Sequence, residues 1–148
     1  MNKNKIKIYS GGVSVDERGQ LDYFNEINFK SIKRFYIVQN HKDKFIRAWH
    51  AHKKESKLIQ VISGAALICA VKIDNWKKPN KKANVFKKIL SVNKPELLFI
   101  PKGYANGAMT LTRNTKIMYY SDKILNDSIS DDFRYDFDYW NPWEITQR

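Results

Sequence analysis

Two histidines lie two residues apart in the segment Arg47-Ala48-Trp49-His50-Ala51-His52, and a lysine follows at position 57. Successive side chains of a strand point to opposite faces of a sheet, so His50 and His52 share one face if this segment is extended. The chain contains only three histidines, so two of them are concentrated here. Imidazoles on an inward face can act as a general base or as metal ligands. The segment is therefore the first candidate for an active site.

Metal binding is the first chemistry that this segment could support. A His-x-His pair on a barrel strand is typical of metal-binding cupins, which add a nearby glutamate and a third histidine in a later Pro-x-Gly-x-x-His element. Here Glu55 follows His52, but the later element, residues 101–106, ends in Asn106. Asparagine is a poor ligand for zinc or iron, and lysines at 53, 54 and 57 oppose a cation. The sequence therefore predicts no metal and no other cofactor.

Proton transfer is the second chemistry. His50 is a candidate general base, because an unperturbed imidazole has a pKa of roughly 6.5. Lys57 can place a positive charge beside a developing oxyanion, and Tyr119 can serve as an acid from a facing strand. Ordinary packing of a strand aromatic is the alternative interpretation of Tyr119. A base, a cation and a phenol around one cavity suit deprotonation next to a carbonyl group, followed by reprotonation.

The charge of the chain bears on its partners. The 148 residues carry a net charge of +12 at pH 7. Nucleic-acid binding is one explanation, because basic proteins gain affinity by releasing counterions from phosphates. The charge is predominantly lysine, however, and its densest cluster, residues 77–82, surrounds a Pro-Asn turn that favours a solvated loop. A phosphorylated small substrate needs only one or two cations, so we expect no nucleic-acid partner.

Cysteine content and hydropathy indicate the compartment. Cys69 is the only cysteine and lies in an apolar run, which predicts a buried, unreactive thiol. No apolar run approaches the roughly 18 residues of a membrane span, and no signal-peptide core is visible. We therefore expect a cytoplasmic protein that does not associate with membranes.

Short strands dominate the rest of the pattern. Turn residues separate apolar or alternating runs at 31–38, 45–49, 58–62, 66–73, 85–90, 97–100, 109–111 and 116–120. Such a pattern predicts an all-β sandwich or small barrel in a single domain, 1–148, with one short helix within 122–130. The tail, 131–148, is rich in aromatic residues, and we expect it to pack on the barrel or on another subunit.

Several motifs together resemble the dTDP-4-dehydrorhamnose 3,5-epimerase family. Asp16-Glu17-Arg18-Gly19 is similar to its Asp-x-Arg-Gly, Arg47-Ala48-Trp49-His50 to its Arg-Gly-Leu-His, and Ser56-Lys57-Leu58 to its Gly-Lys-Leu. Residues 100–107 are similar to Ile-Pro-x-Gly-Phe-Ala-His-Gly, and Met118-Tyr119-Tyr120 to Leu-Tyr-Lys. The likeness runs from near residue 12 to near residue 140. A local likeness to nucleotide-sugar 3,4-ketoisomerases covers residues 31–34 and 47–54.

The resemblance implies a cupin jelly roll with little helix and a role for each matching residue. His50 would be the base, Lys57 the enolate stabiliser and Tyr119 the acid. Arg18 and Arg47 would hold the pyrophosphate, and His52 and Asn106 would contact the substrate. The family also pairs its base with a C-terminal aspartate, for which Asp131, Asp132 and Asp136 are candidates, Asp132 and Asp136 being preferred.

The activity that the resemblance implies is cofactor-independent epimerisation of a nucleotide-linked 4-keto-6-deoxyhexose by a homodimer, in deoxysugar synthesis for surface polysaccharide such as O-antigen. Asn106 and Ile68 stand where double epimerases carry ionisable groups, so we expect epimerisation chiefly at carbon 3. A 3,4-ketoisomerase that uses His50 and His52 is the alternative enzyme. A non-catalytic sugar- or nucleic-acid-binding cupin is the alternative of another class.

Overall fold

The computed structural model describes residues 3–148, so Met1 and Asn2 of the expected domain lie outside the described residues. Within that range the chain forms twelve strands and one short helix. The strands are β1 Lys7–Ser10, β2 Gly12–Asp16, β3 Gly19–Tyr23, β4 Arg34–Gln39, β5 Ile46–His52, β6 Lys57–Ser63, β7 Ala65–Lys72, β8 Phe86–Ser91, β9 Glu96–Ile100, β10 Tyr104–Thr110, β11 Lys116–Ser121 and β12 Phe133–Arg134. The helix is α1, Leu125–Ile129. The prediction of an all-β chain with little helix is confirmed.

The strands form two antiparallel sheets and a separate hairpin. The first sheet has the order β1-β9-β6-β11-β4, the second has the order β12-β5-β10-β7-β8, and β2 pairs with β3. Apolar side chains from both five-stranded sheets meet in one cluster, including Ile59 and Ile117 of the first sheet and Ile68 and Leu90 of the second. The protein is therefore a sandwich whose main core lies between the sheets.

Strand β7 is buried on both of its faces. Its even-numbered residues, 66–70, join the core between the sheets, whereas its odd-numbered residues, 67–71, face the opposite side of the second sheet. A strand that is covered on both faces has no reason to alternate apolar and polar residues, which explains the continuous apolar run around Cys69. The thiol of Cys69 is fully buried, and burial raises its pKa to about 12.

The aromatic C-terminal segment covers the outer face of the second sheet. Trp140 and Trp143 pack around Trp49 of β5, with ring centroids 5.3 and 5.1 Å from the Trp49 ring. The Trp49 indole N–H donates to the carbonyl oxygens of Phe137 and Trp140, both at 3.1 Å. The segment is thereby fixed to the outer face of the strand that carries His50 and His52 on its inner face.

The strand boundaries differ from the sequence prediction at one functional strand. Strand β10 begins at Tyr104, five residues before the predicted start at 109. Residues 104–107 contain small and polar side chains, which are typical of turns in isolation, but β5 and β7 pair with this segment from both sides. Pairing on both edges satisfies its backbone groups and outweighs its weak strand propensity. No helix within residues 3–148 is long and apolar enough to cross a membrane.

Replacing Trp143 by alanine is expected to lower the free energy of unfolding by about 3–5 kcal/mol, because a fully packed indole is removed. Phe137→Ala is the control, since that side chain is 53% exposed, and it should cost less than about 1 kcal/mol. Chemical denaturation followed by circular dichroism measures both values. Similar small losses in the two variants would show that the tail contributes little to stability.

Candidate active site

A cavity of about 250 Å³ lies between the two sheets. Strands β4, β6 and β11 line it from one side, and β5 and β10 line it from the other. Seven of the residues predicted for the site contribute to its wall: Arg47, His50, His52, Lys57, Asn106, Tyr119 and Asp132. The structure therefore brings together residues that lie far apart in the sequence.

An irregularity in β5 explains how Arg47 and His50 share one face although three positions separate them. The pairing register shifts here, so that Asn106 pairs with His50 but Ala108 pairs with Arg47. Two residues of β5, Ala48 and Trp49, thus lie opposite the single residue Gly107, as in a β-bulge. A Cβ at position 107 would lie 2.5 Å from that of Ala48, so only glycine fits here.

His50 is partly buried near Asp132. Its Nδ1 atom lies 3.9 Å from a carboxylate oxygen of Asp132, which is beyond hydrogen-bond distance. The other oxygen of that carboxylate accepts a hydrogen bond of 2.8 Å from Nε of Arg134. Burial, followed by the positive charges of Arg134 and Lys57, lowers the pKa of His50 to about 4. The imidazole is therefore neutral at pH 7, as a general base must be.

Asn106 stands beside His50 on the neighbouring strand. It is 6% exposed, and its side-chain nitrogen donates a hydrogen bond of 3.1 Å to the backbone oxygen of His50. This bond adds a side-chain link to the strand pairing between the two residues. The asparagine that replaces the expected third histidine thus supports the backbone of the candidate base.

His52 and Lys57 contact each other in the wall of the cavity. The Nζ atom of Lys57 lies 3.2 Å from Nε2 of His52, and the Nδ1 atom of His52 lies 2.7 Å from the backbone oxygen of Asp131. Both side chains are less than 10% exposed. Burial lowers the pKa of Lys57, while the carboxylate of Glu55 acts to raise it.

Glu55 is a buried carboxylate with partners on every side. Ser121 and Ser128 each donate a hydrogen bond of 2.6 Å to it, and a terminal nitrogen of Arg34 lies at 3.4 Å. The carboxylate also lies 3.2 Å from Nδ1 of His52. Although burial raises its pKa, Lys57, the two serines and His52 together hold it below the usual value, so Glu55 is ionised at neutral pH.

Two tyrosines present their phenol groups to the cavity. The rings of Tyr36 and Tyr119 stack with centroids 5.1 Å apart and an angle of 7° between their planes. The guanidinium of Arg34 lies 4.9 Å from the Tyr36 ring. Burial raises the pKa of Tyr36 to about 12, and burial also raises the pKa of Tyr119 above its ordinary value. Both phenols are protonated at neutral pH, so each can donate a proton.

The C-terminal aspartates occupy different places. Asp132 lines the cavity beside His50, whereas the carboxylate of Asp131 accepts backbone hydrogen bonds from Lys53 and Lys54. Asp136 is exposed and is not part of the cavity wall. Proximity therefore favours Asp132 as the partner of the candidate base.

Arg18 is also separate from the cavity. It lies between β2 and β3, its guanidinium pairs with the carboxylate of Asp16, and its side chain is 83% exposed. The Asp-x-Arg-Gly motif therefore forms a charged turn at the tip of a hairpin. Within one chain, the structure does not bring Arg18 to the other predicted site residues.

Three residues of the site were missed from the sequence. Tyr36 has apolar residues on both sides in β4, so its immediate neighbours do not show which way its side chain points. Its two-residue spacing from Val38, together with Tyr119 on the neighbouring strand, is the signal that indicates an inward orientation. The sequence pattern indicates Glu55 only as a possible metal ligand. Arg134 lies within the aromatic tail, where nothing in the neighbouring sequence indicates that its side chain reaches the cavity.

Comparison with known proteins identifies the family. The sequence profile of dTDP-4-dehydrorhamnose 3,5-epimerases matches residues 4–139. The chain belongs to this family. The predicted enzyme class, an isomerase, is thereby confirmed. No curated protein matches the chain significantly.

Solved structures of this epimerase family and of its ketoisomerase relatives share the fold. The dTDP-4-dehydrorhamnose 3,5-epimerase from Bacillus anthracis, with TDP and PPi bound, is 26% identical with a TM-score of 0.77, and the match covers 99% of this chain and 89% of that one. A 3,4-ketoisomerase from Helicobacter canadensis is 25% identical with a TM-score of 0.67, and the match covers 90% and 92% of the two chains. The Legionella pneumophila epimerase, 19% identical with a TM-score of 0.73 over 93% and 74%, supports the fold alone. The predicted cupin jelly roll is confirmed.

The pH dependence of kcat/KM tests the state of His50 in this epimerase-family site. A base must be deprotonated, and the pKa of His50 is lowered to about 4, so activity should persist on the acid side until pH falls through about 4. Initial rates between pH 3.5 and 8 measure this limb. Arg134→Gln should move the limb to higher pH, and Asp132→Asn should move it to lower pH. A wild-type limb near neutrality would contradict the assignment.

Proposed function

We propose that the enzyme epimerises a nucleotide-linked 4-keto-6-deoxyhexose without a cofactor. The observation that carries this proposal is the convergence of a neutral imidazole, a buried lysine and two protonated phenols on one cavity. These groups suit removal and return of a proton beside a ketone, and the family membership agrees with that chemistry. The product would serve deoxysugar synthesis for surface polysaccharide, in the cytoplasm.

The proposed steps follow from the acidity of a C–H bond next to the carbon 4 ketone. His50 takes the proton from carbon, and the electron pair of the broken bond moves onto the ketone oxygen. Lys57 stabilises that oxyanion, and one such donor is worth about 3–4 kcal/mol. Tyr119 then gives its proton to the opposite face of the carbon, which inverts it. Solvent returns a proton to the phenolate and accepts the proton from His50.

Substrate binding would use the cations at the cavity wall. Arg47 and Arg134 both line it, and guanidinium groups suit bidentate recognition of phosphates. The Bacillus anthracis relative was solved with TDP and PPi bound, which agrees with a nucleoside diphosphate as the activating group. His52 and Asn106 lie in the same wall, but both ring nitrogens of His52 and the side-chain nitrogen of Asn106 already have partners within the protein.

A homodimer remains part of the proposal. The hairpin of β2 and β3 leaves Val15 and Leu21 exposed by 70% and 63%, which favours contact with a second copy. Arg18 lies on this hairpin, so it would reach a substrate only across a subunit interface. Sedimentation analysis of the wild type measures the oligomeric state directly.

A 3,4-ketoisomerase is the second candidate. The 25% identity to the Helicobacter canadensis enzyme, the His50–His52 pair and the position of Tyr36 at the cavity favour it. Moving the carbonyl requires proton transfer to and from oxygen as well as carbon, for which two bases are suited. The Nε2 atom of His52 already contacts Nζ of Lys57. His52 is therefore less available as a second base, which favours the epimerase.

His50→Asn is expected to lower turnover at least ~10²-fold, because it removes the base and nearly keeps the shape. The assay is proton NMR of 4-keto-6-deoxy sugar nucleotides in deuterated water containing a chelator. His41→Asn, the same change at an exposed histidine, is the control and should leave the rate unchanged. Near-normal turnover of a folded His50→Asn variant would assign the base elsewhere, and no deuterium uptake by the wild type would favour a binding module.

The number of carbons that exchange distinguishes single from double epimerisation. Ile68 is fully buried in the core, and Asn106 is bonded to the His50 backbone, so neither provides an ionisable group to support a second step. We expect solvent deuterium chiefly at carbon 3. Mass spectrometry at early turnover, with NMR assignment of the labelled carbon, measures this. Two deuterons per product, with both carbons inverted, would establish a double epimerase.

A further inference from the structure

We propose that His52 is a positioning residue that orients the ammonium group of Lys57, and that the buried carboxylate of Glu55 keeps this lysine charged. This inference rests on the proposed function, since it gives Lys57 the task of stabilising an enolate. It assigns to His52 neither proton transfer nor direct contact with substrate. It also gives Glu55 a role that does not depend on a bound metal.

The hydrogen bonds of His52 fix its tautomer. A backbone carbonyl oxygen can only accept, so the contact of 2.7 Å between Nδ1 and the oxygen of Asp131 requires the proton on Nδ1. The carboxylate of Glu55, 3.2 Å from the same nitrogen, favours the same placement. Nε2 then carries a lone pair and accepts a hydrogen bond from Nζ of Lys57 at 3.2 Å. Both ring nitrogens are therefore occupied within the protein.

This arrangement fixes the direction of the lysine. An ammonium group on a flexible four-carbon chain has three equivalent donors, and one rigid acceptor at its end restricts their orientation. Lys57 is 7% exposed and lines the cavity, so its remaining donors are available to an oxygen of a bound molecule. Preorganised donors of this kind stabilise an oxyanion without reorganisation during the reaction.

Charge balance determines whether the lysine stays protonated. Burial is the largest influence and lowers the pKa of Lys57, the carboxylates of Glu55 and Asp132 favour the ammonium form, and Arg34 opposes it. The imidazoles of His50 and His52 are both neutral at pH 7, because burial and Lys57 itself lower their pKa values. Geometry links Glu55 to Lys57 through His52, because the carboxylate lies 3.2 Å from Nδ1 of that ring and Nζ of Lys57 lies 3.2 Å from its Nε2. Glu55 is thus the largest favourable influence on the ammonium form, and hydrogen bonds from Ser121 and Ser128 stabilise its own charge.

Two substitutions of His52 separate the proposed role from the others. The side chain of glutamine can place an acceptor oxygen near the former Nε2 position, whereas asparagine can place its N–H near the former Nδ1 position and leaves Lys57 without its acceptor. We expect His52→Asn to lower kcat ~10²-fold, because misplacement of a catalytic group by about 1 Å costs that much. His52→Gln should stay within about fivefold of the wild-type kcat, since it restores the acceptor.

Other outcomes would overturn the proposal. Equal losses of more than ~10²-fold in both variants would indicate that His52 transfers protons. A rise in KM with an unchanged kcat in both variants would indicate that His52 binds substrate.

Glu55→Gln tests the charge separately. It keeps a similar shape and removes the charge, so the pKa of Lys57 should fall further. The alkaline limb of kcat should then move to lower pH by roughly one unit or more, because an opposite charge nearby shifts a pKa by that amount. Glu96→Gln is the control, because it removes another buried carboxylate, one that pairs with Lys88 and Lys94 outside the cavity wall. An unchanged alkaline limb in a folded Glu55→Gln variant would overturn the role of Glu55.

Measurements without substrate keep this test independent of the proposed function. NMR of protein labelled at lysine Cε follows the titration of Lys57, which Lys57→Met identifies, and long-range 15N–1H spectra report the tautomer of His52. We expect a proton on Nδ1 of His52, and a lower Lys57 pKa in Glu55→Gln than in the wild type. A proton on Nε2 would refute the positioning role, even if the epimerase activity is found. These spectra are recorded without substrate, so the expected result is the same even if the proposed substrate class is wrong.

Discussion

The burial of the Lys57 amino group, which carries a positive charge in the proposed mechanism, is the constraint on which the rest of the site depends. An isolated charge of this kind is costly to remove from water unless it is paired and hydrogen-bonded. Glu55 supplies the opposite charge, and it is in turn satisfied by Ser121, Ser128 and Arg34. These partners come from β11, α1 and β4, so the counter-charge also joins three parts of the fold at one end of the sandwich. The short helix α1 is held at the cavity by this polar network.

The second constraint is the division of β5 between two environments. Trp49 and Ala51 face the aromatic tail, whereas His50 and His52 face the cavity. A tightly packed outer face limits the movement of the strand, because protein interiors tolerate little displacement. The tail therefore contributes to the position of the candidate base, although Trp140 and Trp143 contact the opposite side of the sheet. The sheet transmits this support through its backbone.

Much of this arrangement could be predicted from the sequence, for identifiable reasons. The alternation of strand side chains placed His50 and His52 on one face, and the family motifs added Lys57, Tyr119 and Arg47. The bulge opposite Gly107 could not be predicted, because it depends on the pairing of two distant strands. Spacing could not select Asp132 from its neighbours for the same reason. The partners of Glu55 were also inaccessible, since serines on β11 and α1 carry no sequence signal until the fold brings them together.

In the proposed reaction, the positive charge of Lys57 would have opposite effects on the base and on the substrate. Together with burial and Arg134, Lys57 lowers the pKa of His50 and so makes it a weaker base. It also lowers the pKa of any C–H bond whose electron pair moves onto an oxygen in contact with the ammonium. Coulomb interactions weaken with distance and with intervening solvent, so direct contact with the substrate oxygen would outweigh the longer-range effect of Lys57 on the His50 imidazole. In the proposed reaction, this balance would favour proton transfer only while a substrate oxygen contacts Lys57. His50 would then be a weak base toward water but a sufficient base toward a correctly placed ketone.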